Sequence, residues 1–159
     1  MSRIPITRGG YEKLKAELDK LRNVDRNEVI LAIQEARGHG DLSENAEYDA
    51  AKERQGMIEA RINELEYKMS LFEIIDISQM SGDKVAFGAT VTIENIDTEE
   101  RKTYTIVGSD EADIFNGKIS IMSPLARAMM GKKESDDFTV QAPKGETEYE
   151  IIKIEFIEG

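Results

Sequence analysis

Two hydrophobic periods divide this chain. From Thr7 to Phe72 apolar residues recur every three or four positions, as they do on one face of a helix. Tyr11, Leu14, Leu18 and Leu21 begin the stripe, Asp25 and Glu28 interrupt it, and Val29, Ile33 and Ala36 resume it. The pattern predicts one helix from a Thr7 cap to about Arg37, loosened around Asn23–Asn27. A second stripe, Ala51, Gln55, Ile58, Ile62, Leu65, Met69 and Phe72, alternates spacings of four and three without a miss, as in a coiled-coil seam. Gly56 costs that helix about 1 kcal/mol relative to alanine. Two helices of about 30 residues joined by a short turn must run antiparallel, and each would be about 45 Å long. Such an arm is longer than stability requires, and reach is the simplest reason to build it.

Beyond residues 78–83 the period becomes two. Lys84–Phe87, Ala89–Ile96, Arg101–Val107, Asp137–Gln141 and Glu148–Phe156 read as strands rich in Val, Ile, Thr and Tyr. Asp97-Thr98-Glu99-Glu100 and Pro143-Lys144-Gly145-Glu146 read as hairpin turns. Between them Ser123 is placed to cap a short helix, Pro124 to begin it and Gly131 to follow its end. The expected fold class is α+β: an N-terminal antiparallel α-helical coiled-coil hairpin over residues 1–76, then a small antiparallel β-sheet domain with a short helix over 77–159.

Charge narrows the chemistry. The net charge is -11, divided as -3 over residues 1–75 and -8 over 76–159. That balance argues against stable binding to free duplex DNA, which needs lysines and arginines to displace counterions. Any nucleic-acid contact is expected to be local and in the first half; the acidic second half suits a protein partner or solubility alone. The chain has no cysteine, hence no disulfide framework and no thiolate metal site. No apolar run reaches the length of a membrane span, and the start lacks a signal peptide's apolar core, so a cytoplasmic location is expected.

The segment from Ala36 to Glu53, ARGHGDLSENAEYDAAKE, breaks the first helix with two glycines and starts the second behind acids. Asp41 and Glu44 satisfy two readings. In one they form a capping box, with Ser43 a rival cap. In the other they donate hard oxygen ligands to Mg²⁺. Two carboxylates make a poor site alone and a good half-site for an ion that another macromolecule already holds. His39, the only histidine, reads as a loop residue, and Tyr48 as packing near the turn or as a ring to stack on a base.

The run Gly40-Asp41-Leu42-Ser43-Glu44-Asn45-Ala46-Glu47-Tyr48 resembles the signature of the bacterial Gre transcript cleavage factors. The resemblance continues through Ile4-Pro5-Ile6-Thr7, Phe87-Gly88-Ala89-Thr90-Val91, Ser123-Pro124-Leu125-Ala126-Arg127 and Gly131-Lys132-Lys133, in order and over nearly the whole chain. It implies an activator that enters the secondary channel of backtracked RNA polymerase and stimulates the polymerase's own cleavage of RNA, releasing short 3′ fragments. By the same resemblance Asp41 and Glu44 help hold a Mg²⁺ shared with the polymerase active site, with no tightly bound cofactor of the factor's own. Ser43 would assist in placing water, or serve only as a cap. Arg37 and Lys52, extended by Arg54, match a basic patch that contacts the 3′ end of the backtracked RNA. The patch is small and flanked by Glu35, Glu47, Asp49 and Glu53, as in the family branch associated with short cleavage products. The second domain resembles the family's FKBP-like domain, whose docking region on the β′ rim of the channel matches Ser123 and Pro124. This sequence departs from the family at Asn27, where proline is frequent, at Gly38, and at Glu134-Ser135-Asp136, where a glycine commonly precedes the aspartate.

Overall fold

The computed structural model describes residues 3–38 and 45–157. The chain forms two compact units, one made of Tyr11–Phe72 and the other of Arg3–Gly10 together with the chain from Glu73 onward. Residues 3–10 therefore group with the sheet unit, whereas the expected division had placed all of 1–76 with the hairpin.

In the first unit α1 (Arg8–Lys20) passes into a π-helical turn at Leu21–Asp25 and then into α2 (Arg26–Arg37). The π turn falls where the apolar stripe is interrupted, and none of its residues is buried. An i→i+5 turn accommodates a residue more than the ladder of an α-helix expects. Asn27 meets that disturbance by donating its side-chain amide to the Asn23 carbonyl at 2.8 Å, a bond that a proline there would not make.

The return arm is α3 (Ala46–Leu71), 26 residues and about 39 Å long. Its Ala51, Ile58, Ile62 and Leu65 are buried, as are Leu14 and Leu18 of α1 and Val29, Ile33 and Ala36 of α2. Gln55 and Met69, read as seam positions, are half-buried. Pairs on the flanks run in opposite chain order, as antiparallel arms require: Glu28 with Arg54 at 3.6 Å, Arg26 with Glu59 at 2.8 Å and Arg22 with Glu66 at 3.1 Å. Arg61 grips Glu17 with two nitrogens, at 2.7 and 3.0 Å. The Arg61 hydrogen bond holds the Glu17 carboxyl below the ordinary carboxylate range, against an opposing desolvation effect. Arg26 does the same for Glu59. Tyr11 meets Phe72 edge-on, with ring centroids 6.4 Å apart.

In the second unit β1 (Ile4–Thr7) pairs with β2 (Phe72–Ile75). Thr7 is the predicted cap: its Oγ1 accepts from the Gly10 amide at 3.0 Å. Glu111 fixes this junction, accepting from the Thr7 hydroxyl, from the Thr7 amide at 2.9 Å and from the Gly108 amide at 2.9 Å.

The main sheet has five strands: β3 (Thr90–Asn95), β4 (Arg101–Val107), β5 (Lys118–Ser120), β6 (Asp137–Ala142) and β7 (Gly145–Glu155), in the order β5-β4-β3-β7-β6. Three pairings are antiparallel, but β5 lies parallel to β4, with Ile106 opposite Ile119, so the expected all-antiparallel sheet is corrected at this edge. At three residues, β5 is too short to express a period. The expected strand Lys84–Phe87 is absent. Only Lys84 forms a bridge, with Lys133, while Val85 exchanges backbone bonds with Lys132 and Gly131 at 2.8 and 2.9 Å. One sheet face buries Val91, Ile93, Ile106, Ile119 and Ile151 with Ala126 and Met129 of the short helix α4 (Pro124–Met129).

Two turns show what the departures and matches mean physically. Gly88 has φ +84°, and a Cβ there would sit 2.8 Å from the Ile77 side chain, so both conformation and space require glycine. Ser135 has φ 74°, a left-handed conformation that costs a side chain about 1–2 kcal/mol. Its turn is nevertheless kept by the Ser135 amide on the Ile151 carbonyl at 2.7 Å and by Asp136 accepting from the Lys133 amide at 2.8 Å.

Candidate functional site

The hairpin arms end at Gly38 and Asn45, the residues that bracket the acidic segment in the sequence. His39, Asp41, Ser43 and Glu44 lie outside the described residues. Gly38 sits at helical angles, φ −63° and ψ −16°, so α2 does not need a left-handed glycine to stop there.

The N-cap of α3 is Asn45, neither of the candidates that the spacing suggested. Its side-chain oxygen accepts from the Tyr48 amide at 3.0 Å, while its side-chain nitrogen donates to the Ala36 carbonyl at 2.6 Å. Asn45 is buried, and it is the one polar residue so buried among those described. A single amide therefore satisfies a free donor at the start of one arm and a free carbonyl at the end of the other. Asn45 thus caps this helix start, and Asp41 and Ser43, the candidates that the spacing suggested, lie outside the described residues. Sequence reasoning passed over it because Asn45 stood inside a run already explained by its acids. The signal was present: asparagine is a preferred cap, and it directly precedes the helical period.

The basic residues separate into two groups. Arg37, Lys52 and Arg54 are all exposed. The Arg37 guanidinium carbon lies over the Tyr48 ring, 5.9 Å from its centroid, a cation–π contact worth about 0.5–1 kcal/mol at an exposed site. Tyr48 and Lys52 are four apart on α3 and share a face, so Arg37, Tyr48 and Lys52 form a basic and aromatic strip beside the end of the hairpin. Lys52 also reaches Gln55 at 3.1 Å. Arg54, two residues on, faces elsewhere and pairs with Glu28.

In the second unit Ser123 caps α4, its Oγ accepting from the Ala126 amide at 3.2 Å, and Pro124 occupies the first helical position with its ring exposed. Among the described residues no group of three or more His, Cys, Asp or Glu could hold a metal ion. Nor is any described helix long and apolar enough to cross a membrane.

Comparison with known proteins covers both units. Residues 4–74 match the family pattern described as transcription elongation factor, N-terminal, and residues 80–156 match transcription elongation factor, GreA/GreB, C-term. The transcription elongation factor GreA of Neisseria meningitidis is 58% identical over 158 residues, 99% of this chain and 100% of that protein. The chain belongs to the GreA/GreB family of transcription elongation factors. Another family member, GreA of Hyphomonas neptunium, is 56% identical over 154 residues, covering 97% of this chain and 98% of that one. A crystal structure of GreA factor homolog 1 (Gfh1) of Thermus thermophilus is 30% identical, covers 96% of this chain and 99% of its own, and has a TM-score of 0.44. Asn45 and the Arg37–Tyr48–Lys52 strip thus belong to the hairpin of a GreA/GreB-family elongation factor.

Proposed function

We propose that this elongation factor is a transcript cleavage factor. It binds bacterial RNA polymerase, inserts its hairpin through the secondary channel, and stimulates the polymerase's own Mg²⁺-dependent hydrolysis of backtracked RNA. The observation that carries the reading is Asn45. It joins two long antiparallel arms directly beside the sequence segment holding Asp41 and Glu44, and it is itself the N-cap of α3. Two carboxylates at that place in the sequence suit a half-site.

The donor set fits Mg²⁺, which takes oxygen ligands and keeps several waters. When bound between factor and polymerase, that ion would activate water for phosphodiester hydrolysis. Asp41 and Glu44 would supply oxygens to it, and Ser43 would orient a water. Arg37 and Lys52 would meet the phosphates of the extruded 3′ RNA, with Tyr48 between them offering a ring to a base. Arg54 would join only by leaving Glu28. The hairpin acts as a coiled-coil arm, and the second unit, read as FKBP-like, docks on the β′ rim through the region of Ser123 and Pro124. Catalysis belongs to the polymerase, and the factor brings no tightly bound cofactor.

The test is a stalled, backtracked elongation complex carrying 3′-labelled RNA. Adding the full-length protein with Mg²⁺ should release short labelled fragments. Binding without release would assign the protein to inhibition of the channel instead.

A further inference from the structure

The sheet of the second unit has a second face, turned away from α4, and it is not closed. Between this face, β2 and the start of α1 lies a cleft of about 200 Å³. Its apolar lining comes from Ile75, Ile77, Val107 and Ile157. Arg8 and Lys118 also line it, and among the described residues neither has a hydrogen-bond or ion-pair partner for its side chain. Thr90 and Thr105, on neighbouring strands, hydrogen-bond to each other across its floor at 3.1 Å. The Glu111 carboxylate is held on the Thr7 and Gly108 amides.

Arg8 and Lys118 bring two cations to one apolar cleft, and the half of the chain that holds Lys118 has a net charge of -8. Some other cations of this unit have carboxylates, as Arg101 has Glu94 at 2.9 Å and Lys133 has Asp83 at 3.5 Å, whereas the two at this cleft have none among the described residues. We propose that this cleft binds a small organic anion with an apolar body, its charged group between Arg8 and Lys118 and its body against the isoleucines. The volume sets the size. An apolar cavity of about 150 Å³ accepts benzene, so this one suits a single ring or short acyl chain bearing one carboxylate. Because its walls, Thr7 to Gly9, Ile75, Ile77 and the main sheet, all belong to the second unit, an occupant would raise the stability of that unit by mass action. The site is separate from the hairpin and does not depend on its chemistry.

The experiment is an amide chemical-shift titration of the full-length protein with 3-phenylpropionate. 3-Phenylpropanol serves as the body without the charge and inorganic phosphate as the charge without the body. Saturable shifts at Gly9, Thr90, Thr105 and Lys118, at least tenfold tighter for the carboxylate than for either control, are expected. The Arg8→Gln/Lys118→Gln variant, altered at two exposed side chains, should keep the spectrum of the folded protein and bind at least tenfold more weakly. Absence of saturable shifts would overturn the proposal. So would equal binding of the alcohol or of phosphate, or undiminished binding by the variant.

Discussion

The two units bury apolar residues in different ways. The hairpin sets Leu14, Leu18, Val29, Ile33, Ala36, Ala51, Ile58, Ile62 and Leu65 along a line between two helices, with solvent on both flanks. The sheet unit gathers Val91, Ile93, Ile106, Ile119 and Ile151 into a cluster beneath α4. Residues of a cluster share neighbours, whereas those of a line have only the turn before and the turn after. The line needs its flanks tied, which the Arg22, Arg26, Arg54 and Arg61 pairs do, and it leaves the far end dependent on local bonds. At that end Asn45 takes over from apolar burial.

The contrast breaks most directly in the cores. Ile62→Ala and Ile106→Ala each remove a side chain that is 1% and 0% exposed, respectively. Each should cost about 2–5 kcal/mol. Native-state hydrogen exchange should place the loss for Ile62→Ala in the hairpin, and for Ile106→Ala throughout the sheet unit. Equal loss in both units from either change would deny that the two cores are distinct.

Asn45→Ala removes the cap on the Tyr48 amide and the bond to the Ala36 carbonyl of the other arm, and a cost of about 1–3 kcal/mol follows from a lost cap and an unpaired carbonyl. Faster exchange should be confined to Tyr48 and its neighbours, with the seam around Ile62 and Leu65 unchanged. Gly56→Ala works in the opposite direction. Nothing lies within 4 Å of the new Cβ, so the hairpin should gain about 0.5–1 kcal/mol, read as a higher unfolding midpoint.

The smallest effect is the response to acid. Arg61 and Arg26 lower the Glu17 and Glu59 carboxyls in the folded hairpin. Their contribution is therefore present above the unfolded carboxylate value of about 4.3 and is lost as pH falls through the lowered folded values. Both carboxyls face solvent, so the slope will be shallow, and Glu17→Gln should flatten it further on a plot of midpoint against pH.

Much of this was legible in the sequence. Residues Ala51 to Phe72 declare their seam by spacing alone, and Ser123, Pro124 and Gly131 mark α4 in the order in which they act. The break at Asp25 and Glu28 announced a disturbance, but its form as a π turn depends on backbone bonds that periodicity does not encode. Strand β5 escaped because three residues carry no period, and because its partner β4 lies parallel to it across an intervening loop. Lys84–Phe87 has strand-like residues but finds only Lys132 and neighbouring turn backbone to pair with. At the site, the basic residues were legible as types. Their grouping was not, since Arg54 differs from Lys52 only by the face it presents and by Glu28 across the arm.

The central claim, that the hairpin is an arm delivering two carboxylates, rests on one comparison. Wild type and the Asp41→Asn/Glu44→Gln variant should be added to a backtracked elongation complex with 3′-labelled RNA and Mg²⁺, with binding measured alongside. The account predicts equal binding and a loss of cleavage stimulation of about a hundredfold or more in the variant. Cleavage by the variant at the wild-type rate, with binding intact, would contradict it.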